Sequence, residues 1–422
     1  MVFFRRSTTH KTPKADEILR AKDFLRILAQ SVCLLGFVWF ALLLPYAWLW
    51  LFCSGDVAVD RAVASQTEDA CVLFGSGVSQ DFVDYKLRLY AQKKPTIVAL
   101  GSSRVMQFRE SSFTKPFCNM GGVAGNLPVL RSTIDAMLAI HKPEAIILGL
   151  DFWWFMPAWN KDPFALEPPT SGSYTYSLSN LKKFWQWVFE GKLSVGEFFA
   201  PFLGVAGHGF FADRFGIMAQ TTNDGFAQDG SWYYTAETTG QKKPFDYQFR
   251  DTLTQVVHGM KAFYHVPKGI QAPNPAHLDA LAELLCRLHA RGIRVYVVIP
   301  PVAESVYKAM REREEKYPHC FGLANALRAR GIAVLDCTNP RTLGSNDCEF
   351  VDGFHGGEIT YLRILRSLCD QWSTLLSYVH LDALHTRIAS WKGHVYAHDD
   401  RVTDLWEVDF NDFGCKKRSQ LR

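Results

Sequence analysis

From Ile27 to Cys53 the chain carries no charged residue, and only Gln30 and Ser31 are clearly polar. About 20 apolar residues suffice for a helix to cross the hydrocarbon core of a bilayer, so this run spans one with room to tilt. No later stretch approaches its length. A cleaved signal peptide is the alternative, but its apolar region runs to about 7–15 residues and ends at a small-residue cleavage site. Here Trp48, Trp50 and Phe52 gather at the far end like an interfacial belt, which favours an uncleaved anchor, with Pro45 a candidate kink. Arg5, Arg6, Lys11, Lys14, Arg20, Lys22 and Arg26 precede the run. Asp56, Asp60, Glu68 and Asp69 follow it, with Arg61 the only nearby cation. The positive flank stays cytoplasmic, so everything from about residue 54 is expected outside.

The chain of 422 residues is too long for one small core. It divides into a cytoplasmic N-terminus at 1–26, the span at 27–53, an outer domain at 54–375 and a C-terminal extension at 376–422. Hydrophobic residues make up 48% and charged residues 21%, an ordinary globular balance that argues against long disorder. A net charge of +4 with no basic stripe gives no footprint for nucleic acid. The ten cysteines form no CxxC pair or Cys/His cluster, so no metal site and no cofactor is expected. Cys337 and Cys348, separated by Gly344, Ser345 and Asn346 among others, are placed to close a small disulfide loop. Free thiols or another pairing are equally open, because connectivity is not encoded in spacing.

Five short aliphatic runs read as buried parallel strands: Thr96–Leu100, Pro116–Met120, Ala145–Leu150, Arg294–Ile299 and Ile332–Leu335. Helical patterns lie between most of them. One opens at Asn274 and Pro275, marks a face with Leu278, Leu281, Leu285 and Leu288, and closes at Gly292. Another runs through Leu127, Leu130, Ile134 and Leu138. The alternation implies an α/β fold, a parallel sheet with helices on both faces, whose ligand sits at the carboxyl ends of the strands. Residues 152–274 interrupt the alternation with a helix expected at Leu181–Phe189 and aromatic, glycine-rich stretches. This insertion reads as a lid, a partner-docking surface, a polysaccharide-binding wall, or a segment merely packed on the sheet. Trp391–Ala397 and Trp406–Phe413 read as short strands of the extension.

The first strand runs into Gly101-Ser102-Ser103-Arg104, where a glycine turn exposes a serine hydroxyl over the sheet. The second runs into Asn119-Met120-Gly121-Gly122-Val123-Ala124-Gly125-Asn126. Glycines there let backbone N–H groups face a developing oxyanion; a helix-entry loop capped by Asn126 explains them equally well. Asp352-Gly353-Phe354-His355 stands before a helical pattern, and a histidine that deprotonates serine needs such a carboxylate to fix its tautomer. Asp382 and His385 repeat the spacing, but within a helical run beyond the last sheet element.

In this order, over about residues 95–370, the blocks resemble the SGNH (GDSL-type) hydrolase superfamily. That family has a flavodoxin-like three-layer α/β/α fold with five parallel strands. Gly-Asp-Ser follows its first strand, a glycine block its second and Asp-x-x-His its last. The Gly-Ser-Ser variant further resembles the membrane-anchored teichoic-acid D-alanylation protein DltD and the alginate and peptidoglycan O-acetylation proteins. The resemblance implies that Ser103 rather than Ser102 is the nucleophile, His355 the base and Asp352 its orienter. It also implies that Gly122 or Gly125, with the Ser103 N–H, serves the oxyanion. The family's third block, Gly-x-Asn-Asp, is here Gly149-Leu150-Asp151-Phe152, and an ionised Asp151 donates no hydrogen bond. Loss of one such donor costs about 10²–10³ in rate, which favours transferase-type relatives over general hydrolases.

The expectation is therefore extracytoplasmic acyl transfer, an O-acetylation of a cell-envelope polysaccharide, from a single-pass anchor in the inner membrane. The resemblance implies a multi-pass membrane acyltransferase (MBOAT type) as the partner that delivers the acyl group. A polysaccharide deacetylase or esterase with the same triad, and a non-catalytic adaptor of the same fold, are the other readings.

Overall fold

A computed structural model describes residues 15–52, 59–69, 71–76, 82–156, 159, 162–167, 189, 214–241, 249–399, 401–402 and 405–418. The apolar run lies in helix α1 (Ala15–Phe52), which continues through Pro45. Residues Arg20–Leu44 within it are long and apolar enough to cross a membrane, and none of that stretch is buried against the rest of the chain. At about 1.5 Å rise per residue, 25 residues cover the ~30 Å hydrocarbon core.

The part of the chain that follows α1 is built on five parallel strands: β1 (Ile97–Gly101), β2 (Phe117–Gly121), β3 (Ala145–Gly149), β4 (Arg294–Ile299) and β5 (Val334–Asp336). Their order is β2-β1-β3-β4-β5, the doubly wound arrangement, so the chain reverses its direction of growth between β1 and β3. Strand side chains alternate between two cores, which is why these strands read as continuous apolar runs. Val98, Leu100, Ile146 and Leu148 pack against α2 (Val83–Lys93), α3 (Leu127–Ile140), α4 (Pro275–Ala290) and α5 (Leu323–Arg328). Ile97, Ala99, Ile147 and Val298 pack on the other face against α6 (Glu358–Gln371) and α7 (Leu381–Ser390). Asn126 and Asn274 cap α3 and α4, their side chains accepting from Val129 and Ala276 N–H.

A second sheet joins four two-residue strands in the order Arg214–Phe215, Leu73–Phe74, Gly225–Phe226, Trp232–Tyr233. Lys86 ties it to the main sheet. Its buried ammonium donates to the Asn119 carbonyl at 2.7 Å and to the Gly230 carbonyl, and lies over the Phe226 ring. Burial lowers its pKa to about 7. The helix expected at Leu181–Phe189 falls almost wholly outside the described residues.

One open choice is settled and one expectation is corrected. Cys348 pairs with Cys415 and not with Cys337, whose side chain is buried in the core beside β5. The bond fastens the end of the chain to the loop that carries Asp352 and His355, and Lys417 reinforces it by donating to the Cys348 and Gly393 carbonyls. Trp391–Ala397 and Trp406–Phe413 are not strands. The Glu407 carboxylate, paired with Lys417, accepts from the Val395 and Tyr396 N–H groups, bonds that a strand partner would otherwise have formed.

His319 is fully buried between Phe152 and Tyr317, and neither ring nitrogen has a partner among the described residues. Burial first, then the nearby His265, lowers its pKa from 6.5 to about 3. Below about pH 6.5 the unfolded chain therefore binds a proton that the fold refuses, so stability present above that pH drains away toward pH 3. Urea midpoints of His319→Phe are expected to fall less steeply than wild type between neutral and mildly acid pH. Parallel slopes would remove His319 as the cause.

Candidate active site

β1 ends at Gly101, whose φ of +155° is open to glycine and few other residues, and a Cβ there would lie 2.8 Å from the Gly149 carbonyl of β3. The close approach places the next residues in the crevice between β1 and β3, at the carboxyl edge of the sheet. Ser102 caps the single 3-10 turn that follows, its hydroxyl accepting from the Arg104 N–H at 3.2 Å. Ser103 is left half-buried, with its Oγ 2.9 Å from His355 Nε2.

His355 arrives from the loop between β5 and α6. Asp352 Oδ2 lies 2.9 Å from its Nδ1, while Asp352 Oδ1 accepts from the Phe354 and His355 N–H groups, each at 2.7 Å. The carboxylate thus fixes both the loop and the ring. Phe354 and Tyr234 flank the imidazole at 5.1 and 6.0 Å between ring centres, and His355 and Asp352 are 6% and 4% exposed. Hydroxyl, imidazole and carboxylate form one hydrogen-bonded chain, the arrangement that activates a serine as a nucleophile. Asp382 and His385 stand exposed on α7.

The remaining expected residues divide. Gly122 is not a free donor, because its N–H is given to the Gly101 carbonyl at 3.1 Å. Its φ of +89° and a would-be Cβ 2.2 Å from Met106 Cε show a conformational role. The N–H of Gly121 goes to Asn119 Oδ1 and that of Ala124 to Gly101. Among the described residues, the N–H groups of Ser103, Val123 and Gly125 have no partner, and Gly125 has open space where a Cβ would stand.

Asp151 has a charged partner of its own. It is buried in an ion pair with Arg104, 3.2 Å from Nη1 to Oδ1, directly beneath the serine turn. Burial pushes its carboxyl up to about 6, against the pull of Arg104. Arg104 also donates to the Pro300 and Pro301 carbonyls after β4, at 2.6 and 2.8 Å, and its own carbonyl accepts from the Tyr361 hydroxyl of α6. The guanidinium thereby binds the ends of β1, β3 and β4 and the turn that presents Ser103. Sequence reasoning gave Arg104 no part, although an arginine next to the serine and an aspartate after β3 were a complementary pair in view.

Compared with known proteins, the chain matches no family model, no curated protein and no solved structure.

Proposed function

We propose that the chain is a membrane-anchored serine O-acyltransferase of SGNH type that moves an acyl group, an acetyl, onto a polysaccharide outside the cytoplasmic membrane. The observation that carries this is the unbroken Ser103–His355–Asp352 chain at the sheet's carboxyl edge. Ser103 Oγ attacks the acyl carbonyl as His355 Nε2 takes its proton, which then passes to the departing group of the donor. A sugar hydroxyl attacks the resulting acyl-serine, gives its proton to His355, and leaves as the ester while that proton returns to Ser103. The N–H groups of Ser103 and of Val123 or Gly125 are the donors left for the oxyanion.

The outward orientation is supported by the charge asymmetry around the apolar run and by the Cys348–Cys415 bond, which belongs to an oxidising compartment. Acyl-CoA does not reach that side, so a multi-pass membrane acyltransferase of MBOAT type is the proposed source of the group. A fluorophosphonate that esterifies active serines is expected to label wild type and Ser102→Ala but not Ser103→Ala. Labelling that survives Ser103→Ala would exclude Ser103 as nucleophile. With an activated acetyl ester, product found on added oligosaccharide supports transfer, whereas acetate alone makes the chain an esterase.

A further inference from the structure

The glycine loop after β2 has one point that packing does not fix. Gly125 is exposed, with nothing within 4 Å of where a Cβ would stand, and glycine has the widest backbone freedom of any residue. Upstream, the Gly122 and Ala124 N–H groups are given to the Gly101 carbonyl, at 3.1 and 3.3 Å, which lays the loop over the turn that presents Ser103. Downstream, α3 begins at Leu127 with Asn126 as its cap. Between these anchors the Gly125 carbonyl accepts from the indole Nε1–H of Trp159 at 3.0 Å. The peptide that carries the Gly125 N–H is thus flanked by two held groups, the Ala124 N–H and the Gly125 carbonyl.

Trp159 is in turn held from the side of the base. Its ring meets Trp153 edge-on at 6.1 Å, Trp153 stacks on Phe354 at 5.0 Å, and Phe354 meets His355 edge-on at 5.1 Å. These separations lie in the range where aromatic pairs attract. A ladder of rings therefore runs from the imidazole to the glycine loop, and Trp159 is its last rung. The same stretch of the insertion holds the loop a second time, since Asn126 Nδ2 donates to Glu167 Oε2 at 3.2 Å. Arg131 of α3 also lies over the Phe164 ring at 6.0 Å.

We infer that Trp159 is a positioning residue for the oxyanion, its indole N–H holding the Gly125 peptide so that the Gly125 N–H meets the charge that develops at the acyl carbonyl. Gly125 faces the solvent from which an acyl donor arrives, whereas Val123 is 3% exposed. An oxyanion donor acts only if it is already in place when the charge forms, and a shift of about 1 Å forfeits much of its effect. The start of the 152–274 insertion is then a brace between the base and the oxyanion loop. The inference rests on the acyl-transfer reading of the triad.

The test uses the full chain in detergent with an activated acetyl ester. Trp159→Phe keeps a ring against Trp153 without the N–H. Benzothienylalanine in place of Trp159 keeps the bicyclic shape, with sulfur where the N–H was. Both are expected to lower kcat by about tenfold, short of the loss of about 10²–10³ when a donor is removed outright, with KM within about twofold of wild type. A methyl trifluoromethyl ketone adds to the serine as a hemiketal oxyanion, and its affinity is expected to fall by the same factor while urea midpoints stay near wild type. A merely structural role would move KM or the urea midpoint and spare the ketone. Unchanged kcat in both variants would overturn the inference and leave Val123 as the donor. A loss in Trp159→Phe that the benzothienyl chain does not share would also overturn it, because ring shape would then be the cause. Turnover that survives Ser103→Ala removes the acyl-transfer reading and this inference together. A dead Ser103→Ala beside an unaffected Trp159→Phe removes the inference alone.

Discussion

Asp352→Asn is expected to lower turnover of an activated acetyl ester by about 10⁴, with little change in the fold. Asn Oδ1 can keep the two backbone bonds from Phe354 and His355 that Asp352 Oδ1 accepts, so the loop retains its shape. The other carboxylate oxygen, 2.9 Å from His355 Nδ1, becomes an amide that donates. Two donors cannot face each other there, so the ring turns to the tautomer with its proton on Nε2. That proton points at Ser103 Oγ, and the base has nowhere to receive another. His355→Ala removes the base outright and is expected to lose at least as much. Asp382→Asn and His385→Ala, on the exposed face of α7, are expected to stay near wild type. Asp352→Asn within about tenfold of wild type, or Asp382→Asn matching its loss, would dismantle the assignment.

What the sequence disclosed follows from which forces are local. A strand buried on both faces must be apolar throughout, so β1 to β4 stood out as aliphatic runs, their ends off by a residue or so. β5 was displaced further, beginning at Val334 where Ile332 was expected, because a short edge strand has little pattern to read. The second sheet was invisible. Its strands of two residues have no periodicity, and Leu73–Phe74 meets partners about 140 residues and more away. Serine, histidine and aspartate were legible because each sits where a strand or loop meets a helix, marked by glycine. Oxyanion geometry was not: that Gly122 spends its N–H on Gly101 depends on the three-dimensional turn. The Cys348–Cys415 bond was equally hidden, since spacing says nothing of a partner 67 residues on.

Removing Arg104 is the change expected to cost the fold most. Arg104→Met keeps the length but gives up the cation–π contacts with Trp153 and Phe354, and it leaves Asp151 buried without a countercharge. It also strips the Pro300 and Pro301 carbonyls of their donor. Breaking a buried pair in this way costs about 3–5 kcal/mol. Protonation of Asp151 relieves part of the charge, since burial already pushes that carboxyl up to about 6, but not the loss at the two carbonyls. Because the pull of Arg104 is lost as well, that carboxyl rises further, so Arg104→Met should be most destabilised at alkaline pH and partly recover as the pH falls. In Arg104→Met/Asp151→Leu neither charge remains, and replacing both partners of a buried pair by apolar groups is often neutral, so the double variant should be more stable than Arg104→Met alone. Its labelling at Ser103 should stay slow, because the serine turn has lost the anchor between the ends of β1, β3 and β4. Urea unfolding of the three variants checks the first claim and labelling rates the second. An Arg104→Met chain within about 1 kcal/mol of wild type would show that the pair neither holds the strand ends nor presents the nucleophile.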